Sequence, residues 1–204
     1  ITACENSAWL LNLRGRDTEY SPIPNCFILI DKNRNIQLFC DLKKITKSLK
    51  KKFNKLKFIN IKSIERTLSK INKKKFIIDK NSCSQMYENI IAKNNKILNF
   101  SDPIYFLKSI KNKIEIDNIK KAHLYDGSAL TKYLFWLKKN FKKKKITEIS
   151  ASKKLLELRK KNKKFKFSSF PTISGSGPNG AIIHYKATRQ TNRRLNKGDI
   201  YLVD

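Results

Sequence analysis

A chain of 204 residues with 40% apolar residues can build one large or two small domains with real cores, so it reads as globular. Lys+Arg 46 against Asp+Glu 16 leaves a formal charge of +30, but the lysines are scattered through every predicted element, and no RNP, zinc-finger or helix-turn-helix signature accompanies them. Charge alone would suggest a polyanion such as nucleic acid or an anionic membrane surface, but scattered and without such a signature it speaks to solubility and nonspecific contacts rather than to a specific nucleic-acid partner; no apolar run approaches the ~18 residues of a membrane span and no signal peptide opens the chain, so a cytoplasmic protein is expected.

The chain opens on Ile1 without an initiator Met and closes on Asp204 at the end of a strand-like run, so it reads as a segment of a longer protein. Ser7 to Leu13 (SAWLLNL) predicts a buried strand, followed by the loop Arg14-Gly15-Arg16-Asp17 and a proline-containing connection. Asn25 to Ile30 and Ile36 to Cys40 predict a hairpin around the turn 31–35, with Ile30 paired to Ile36. That register sets Cys26 opposite Cys40, so a disulfide is conceivable, although reduced buried thiols are the commoner state of a cytosolic protein. The four cysteines, at 4, 26, 40 and 83, show no CxxC spacing and argue against a zinc cluster.

Ile61, Ile64, Leu68 and Ile71 share one helical face. A strand at Phe76 to Asp79 follows, then a helix capped by Ser82 with Gln85 that runs to about Lys93, then a strand at Ile97 to Phe100. This alternation is that of an α/β layer. Asp102-Pro103 opens a short helix, and from Lys113 to Phe141 the pattern becomes one long amphipathic helix, so a domain boundary is expected near residue 110. Its apolar stripe, Ile116, Ile119, Leu130, Tyr133, Leu137 and Phe141, also carries His123 and Asp126; one turn apart, these two can satisfy each other or nearby backbone, and a structural role outweighs a catalytic one. Lys142 to Lys145 reads as a solvated loop, and Thr147 caps a helix to about Asn162.

The last stretch, Thr172 to Asp204, holds the main candidate site. Gly175-Ser176-Gly177-Pro178-Asn179-Gly180 has the glycines of a loop whose backbone approaches something closely, without the Gly-Lys-Ser/Thr ending of a P-loop. Ala181 to Tyr185 then alternates as a half-buried strand carrying His184, and Ile200 to Asp204 as a second strand ending on a carboxylate. Partial burial of Asp204 would call for a cation, a metal or hydrogen bonds; on residue chemistry alone a capping or salt-bridged role is as good as a metal ligand.

The runs ISGSGPNGAIIHY, Thr191-Asn192-Arg193 and GDIYLVD, together with Trp9 to Gly15 (WLLNLRG) and Ala122 to Leu130 (AHLYDGSAL), closely resemble the aminopeptidase P family of Xaa-Pro aminopeptidases. The resemblance implies an α/β fold: a creatinase-like non-catalytic domain with a ribonuclease H-like layer, residues 1–110, then the N-terminal part of a pita-bread metallopeptidase domain, residues 111–204. It implies Asp204 as the first metal ligand, and His184 as the histidine that holds substrate and helps move protons. It further implies two divalent metal ions, manganese first with zinc or cobalt as alternatives, a peptide substrate with an Xaa-Pro N-terminus, and a homodimer when complete. The other ligands of such a centre would lie beyond Asp204, so the segment alone should be inactive. A prolidase, a metal-free pita-bread binding module and a basic nucleic-acid-binding protein are the alternatives.

Overall fold

The computed structural model describes residues 1–143 and 145–204. Lys144, part of the lysine run read as a solvated loop, lies outside the described residues. The chain forms two compact units, Ile1–Ile110 and Lys111–Asp204.

In the first unit, α1 (Cys4–Leu10) leads to strands β1 (Phe27–Ile30) and β2 (Ile36–Cys40), then α2 (Lys47–Lys52) and β3 (Leu56–Asn60). β1 and β2 form the expected antiparallel hairpin with Ile30 opposite Ile36, and β3 joins β2 in parallel. Period-two alternation explains the packing. On one face Ile28, Leu38 and Cys40 form a buried cluster with Cys26, against which Leu56 and Phe58 pack. On the other, Phe39 joins Ile64 and Leu68 of α3 (Ile64–Ser69), Phe76 of β4 (Lys75–Ile78) and Ile91 of α4 (Gln85–Ala92). Parallel β4 and β5 (Lys96–Asn99) form a second, two-stranded sheet, joined through α4, and α5 (Pro103–Ser109) closes the unit.

Two expectations are corrected here. Ser7 to Leu13 is not a strand: residues 4–10 are helical, with the Asn6 and Ser7 amides donating to the Ala3 carbonyl at 3.1 Å. A short apolar run suits a buried strand or a buried helix equally, and a distant polar partner decides. Fully buried Asn6 donates from Nδ2 to Asp102 Oδ2 at 2.7 Å and accepts from Lys108 Nζ at 2.5 Å. The cap of α4 is Ser84, whose Oγ accepts the Tyr87 amide, and not Ser82, whose hydroxyl instead meets the Asp79 carbonyl and Thr2.

All four cysteines are free thiols, so the hairpin register creates no disulfide. Burial pushes the Cys26 thiol up to about 12, which removes the reactive thiolate at neutral pH. Iodoacetamide added to the native chain is expected to modify half-exposed Cys4 before buried Cys26, Cys40 and Cys83. Equal labelling of all four, followed by mass spectrometry, would contradict this burial.

In the second unit, α6 (Lys113–Asn140) begins with a capping box between Asn112 and Glu115 and α7 (Glu148–Lys160) with one between Thr147 and Ser150. β6 (Ser174–Ser176) and β7 (Tyr201–Val203) form an antiparallel ladder. The core lies between these elements: Tyr133, Ile146, Ala151, Leu155 and Leu195, lined by Leu137, Phe141, Tyr201 and Val203. Leu155→Ala is expected to cost about 2–5 kcal/mol of stability, because a fully buried leucine leaves both lost contacts and a cavity; a denaturant midpoint that does not move would refute it.

Only the C-terminal half of α6 reaches this core. Ile116 and Ile119 of the expected stripe are 41% and 45% exposed, and His123 is exposed. Asp126 does not pair with His123; its carboxylate takes both Nε and Nη2 of Arg159, at 2.7 and 3.1 Å. Among the described residues, no helix is long and apolar enough to cross a membrane.

Candidate active site

Antiparallel pairing of β6 and β7 sets Ser174 opposite Val203 and Ser176 opposite Tyr201. The expected strand ending at Asp204 is thus observed as Tyr201–Val203, and Asp204 continues the ladder by exchanging backbone hydrogen bonds with Ile173 at 3.0 Å in both directions. The strand expected at Ala181 to Tyr185 is corrected. Gly177–Ala181 winds into a 3-10 turn, and a further turn follows in which the Tyr185 amide donates to the Ile182 carbonyl at 3.2 Å. Proline at the second position of the turn and a buried anchor at Tyr185, described below, bend the chain before a ladder can form.

The glycine requirement of this loop is local. A side chain at Gly175 would meet the Asn179 carbonyl oxygen at 2.8 Å, and Gly177 takes φ +56° beside Arg193 and Asp199. What the backbone approaches closely is therefore its own next turn. Asp199 secures the start of the turn: its Oδ2 accepts Ser176 Oγ at 3.1 Å and the Asn196 amide at 3.3 Å.

Behind the loop lies Glu148, the first residue of α7 and fully buried. Its Oε1 accepts the Ser176 amide at 2.7 Å and Asn179 Nδ2 at 3.0 Å. Its Oε2 accepts the Tyr185 hydroxyl and the Arg193 amide, both at 2.9 Å. Burial would by itself raise the carboxyl; the donors, Arg193 and Ser176 foremost, overcome it and hold it below its ordinary value of 4.5. A folded value below the unfolded one means that the contribution to stability is complete above 4.5 and is lost as pH falls through the folded value. A second chain of hydroxyls runs alongside, from Tyr133 to Tyr201 at 2.9 Å, to Ser174 at 2.7 Å and on to the Glu148 carbonyl at 2.8 Å. Sequence reasoning missed Glu148, because an acidic residue in the first turn of a helix is commonplace and nothing in its neighbours marks it as buried.

His184 lies at φ +54° with its side chain exposed, one residue before the buried Tyr185. Asp204 is exposed and lines a groove of about 500 Å³ together with Tyr125, Asp126, Arg159, Phe165 and Phe170. The two candidates leave opposite ends of the ladder. Tyr185 is tied back to the Ser176 end, whereas Asp204 is three residues beyond Tyr201, about 10 Å further at the usual strand rise. Among the described residues no hydrogen bond joins their side chains. Nor, among the described residues, do three or more His, Cys, Asp or Glu side chains come together as a metal site. A carboxylate such as Asp204 is of the ligand type that a divalent-metal centre uses, but among the described residues it belongs to no group of three or more His, Cys, Asp or Glu side chains.

An α/β unit followed by a unit in which a glycine loop and a histidine precede an aspartate-terminated strand is the arrangement of the creatinase and prolidase class. The chain belongs to the creatinase/prolidase N-terminal domain family, whose model matches residues 1–115, and a model of metallopeptidase family M24 matches residues 117–204. Over its whole length it is 35% identical to the "Probable Xaa-Pro aminopeptidase P" of Paracoccidioides lutzii, of which it spans 36%. It is 34% identical to the "Xaa-Pro aminopeptidase ApepP" of Drosophila melanogaster, of which it spans 34%. An X-prolyl aminopeptidase of Caenorhabditis elegans, described as a cytosolic enzyme with a di-nuclear active site, superposes on 98% of the chain with a TM-score of 0.86 at 25% identity, and the match takes in 34% of that protein. The prolidase of Pyrococcus furiosus shares the fold, with a TM-score of 0.65 over 99% of this chain and 55% of its own. The resemblance read from the motifs thus extends along the chain, which spans about a third of the curated relatives' length.

Proposed function

We propose that this chain is the non-catalytic domain and the first part of the catalytic domain of a metal-dependent Xaa-Pro aminopeptidase. The observation that supports it most is the match of the entire chain, at 34–35% identity, to proteins of that name, together with a His184 and an Asp204 on the segments where the motif requires them. In this reading residues 1–110 form the non-catalytic unit, and 111–204 contribute Asp204 as one ligand of a centre with two divalent ions. Manganese, zinc or cobalt would suit carboxylate and imidazole ligands. A cytosolic, homodimeric complete enzyme completes the reading.

His184 has the part that this chain's own groups can play. The bond before proline is a tertiary amide without an N–H, so its nitrogen must gain a proton as it leaves. An exposed imidazole on a fixed turn can hold the substrate's peptide groups and relay that proton. Bound divalent ions would supply an activated water and a Lewis acid.

The test is hydrolysis by the complete enzyme, loaded with manganese, of an Xaa-Pro-Yaa tripeptide beside an Xaa-Pro dipeptide. Release of the first residue from the tripeptide is expected. Cleavage of the dipeptide alone would identify a prolidase, and hydrolysis of neither would favour a binding module.

A further inference from the structure

Glu148 is an unusual buried group. Its carboxylate is fully buried, and among the described residues it forms no ion pair. An ionised carboxylate in such a place is tolerated only when its lone pairs are filled by hydrogen bonds. Here two backbone N–H groups, one side-chain amide and one phenol fill them.

A carboxylate at the first residue of a helix commonly serves that helix, by capping or through the helix dipole. Glu148 does something else. The side-chain donors and amides it accepts lie 28, 31, 37 and 45 residues further along the chain, at Ser176, Asn179, Tyr185 and Arg193. Its backbone adds to the same junction, since its amide donates to the Arg193 carbonyl at 3.0 Å and its carbonyl accepts Ser174 Oγ. One side chain thereby ties down the start, the middle and both flanks of the segment that contains His184.

We propose that Glu148 is the positioning residue for His184. It rests on the reading in which His184 acts on the substrate. The local conformation gives the reason for such an anchor. A histidine at φ +54° is in a region that non-glycine residues seldom occupy, and it stays there only where the surroundings over-determine the backbone. The residue after it supplies that constraint: Tyr185 is buried, and its hydroxyl meets Glu148 Oε2 at 2.9 Å and both the carbonyl and the hydroxyl of Thr191 at 3.1 Å. An all-acceptor group is needed at the centre. Glutamine in its place would turn an amide donor toward donors and leave at least one buried N–H without a partner.

The experiment pairs two readouts. In the complete enzyme, Glu148→Gln is expected to speed hydrogen exchange of the peptide 177–185 about tenfold or more while the last turns of α7 exchange as before. In the same enzyme, E148Q is expected to lower kcat/KM about tenfold in the parent background and less than about twofold when combined with H184A, with metal content unchanged, because two residues acting through one contact are not additive. Unchanged exchange at 177–185 overturns the proposal, as does an equal loss in both backgrounds. Should E148Q fail to fold, Tyr185→Phe, which removes one donor only, takes its place with the same expected signs. If H184A alone leaves hydrolysis intact, the reading of His184 fails, while the exchange result still decides whether Glu148 holds the segment.

Discussion

Asp204→Ala in the complete enzyme is expected to reduce Xaa-Pro hydrolysis by about a thousandfold or more, with a parallel loss of bound metal. The magnitude follows from what a metal ligand does: a two-ion centre contributes several kcal/mol through its activated water and its hold on the developing oxyanion, and about 4 kcal/mol is a thousandfold. Asp204 is well placed to be removed without collateral damage. Its part in the ladder is made by backbone atoms, with Ile173. Alanine retains those backbone bonds, so the thermal midpoint of the metal-free enzyme should hardly move, and the variant should lose only the added stability that bound metal confers on the parent. The measurement is metal content by mass spectrometry beside the hydrolysis rate. A variant with full metal content and full activity would show that Asp204 is a plain surface carboxylate.

His184→Ala is expected to lower kcat/KM by about a hundredfold to ten-thousandfold, the usual contribution of a positioned proton-transfer group. Metal content should be unchanged, which separates this variant from Asp204→Ala. Stability should also be nearly unchanged or slightly improved at this position by glycine rather than alanine, because φ +54° strains any side chain. His184→Gly is therefore the better-folded control. If both variants hydrolyse Xaa-Pro tripeptides at the parent rate, His184 has no part in the chemistry.

His123, by contrast, is exposed on α6, and the Asp126 that could have partnered it is bound to Arg159 instead. The expected pairing within one helix is therefore corrected to an ion pair between two helices. A helix seen in sequence offers neighbours at three and four residues; Arg159, 33 residues away, becomes a neighbour only when α7 packs on α6.

Much of the first unit, and the course of α6 in the second, was legible because the signals are periodic and local. The β1–β2 hairpin with Ile30 opposite Ile36, the strands near Phe76 and Ile97, the Asp102 cap and the long α6 all follow from alternation, capping chemistry and helical spacing. The failures are short segments where local preference is weak and a distant group decides. Cys4–Leu10 became a helix whose buried Asn6 meets Asp102, 96 residues away, and residues 181–185 became turns drawn to Glu148. The exposed first half of α6 is a third case: amphipathic spacing says that a face exists, and only packing says what lies against it.

By itself, then, the sequence determined the α/β character, the family resemblance and the identity of His184 and Asp204 as candidates, because motifs and short-range periodicity are written in consecutive residues. Only the tertiary structure decided that the glycine loop folds on itself, that His184 sits strained on a turn, and that Glu148 holds the segment in place. The physical reason is that a buried carboxylate must collect its hydrogen bonds from wherever donors converge, and that convergence of residues 28 to 45 positions apart exists only once the chain has folded.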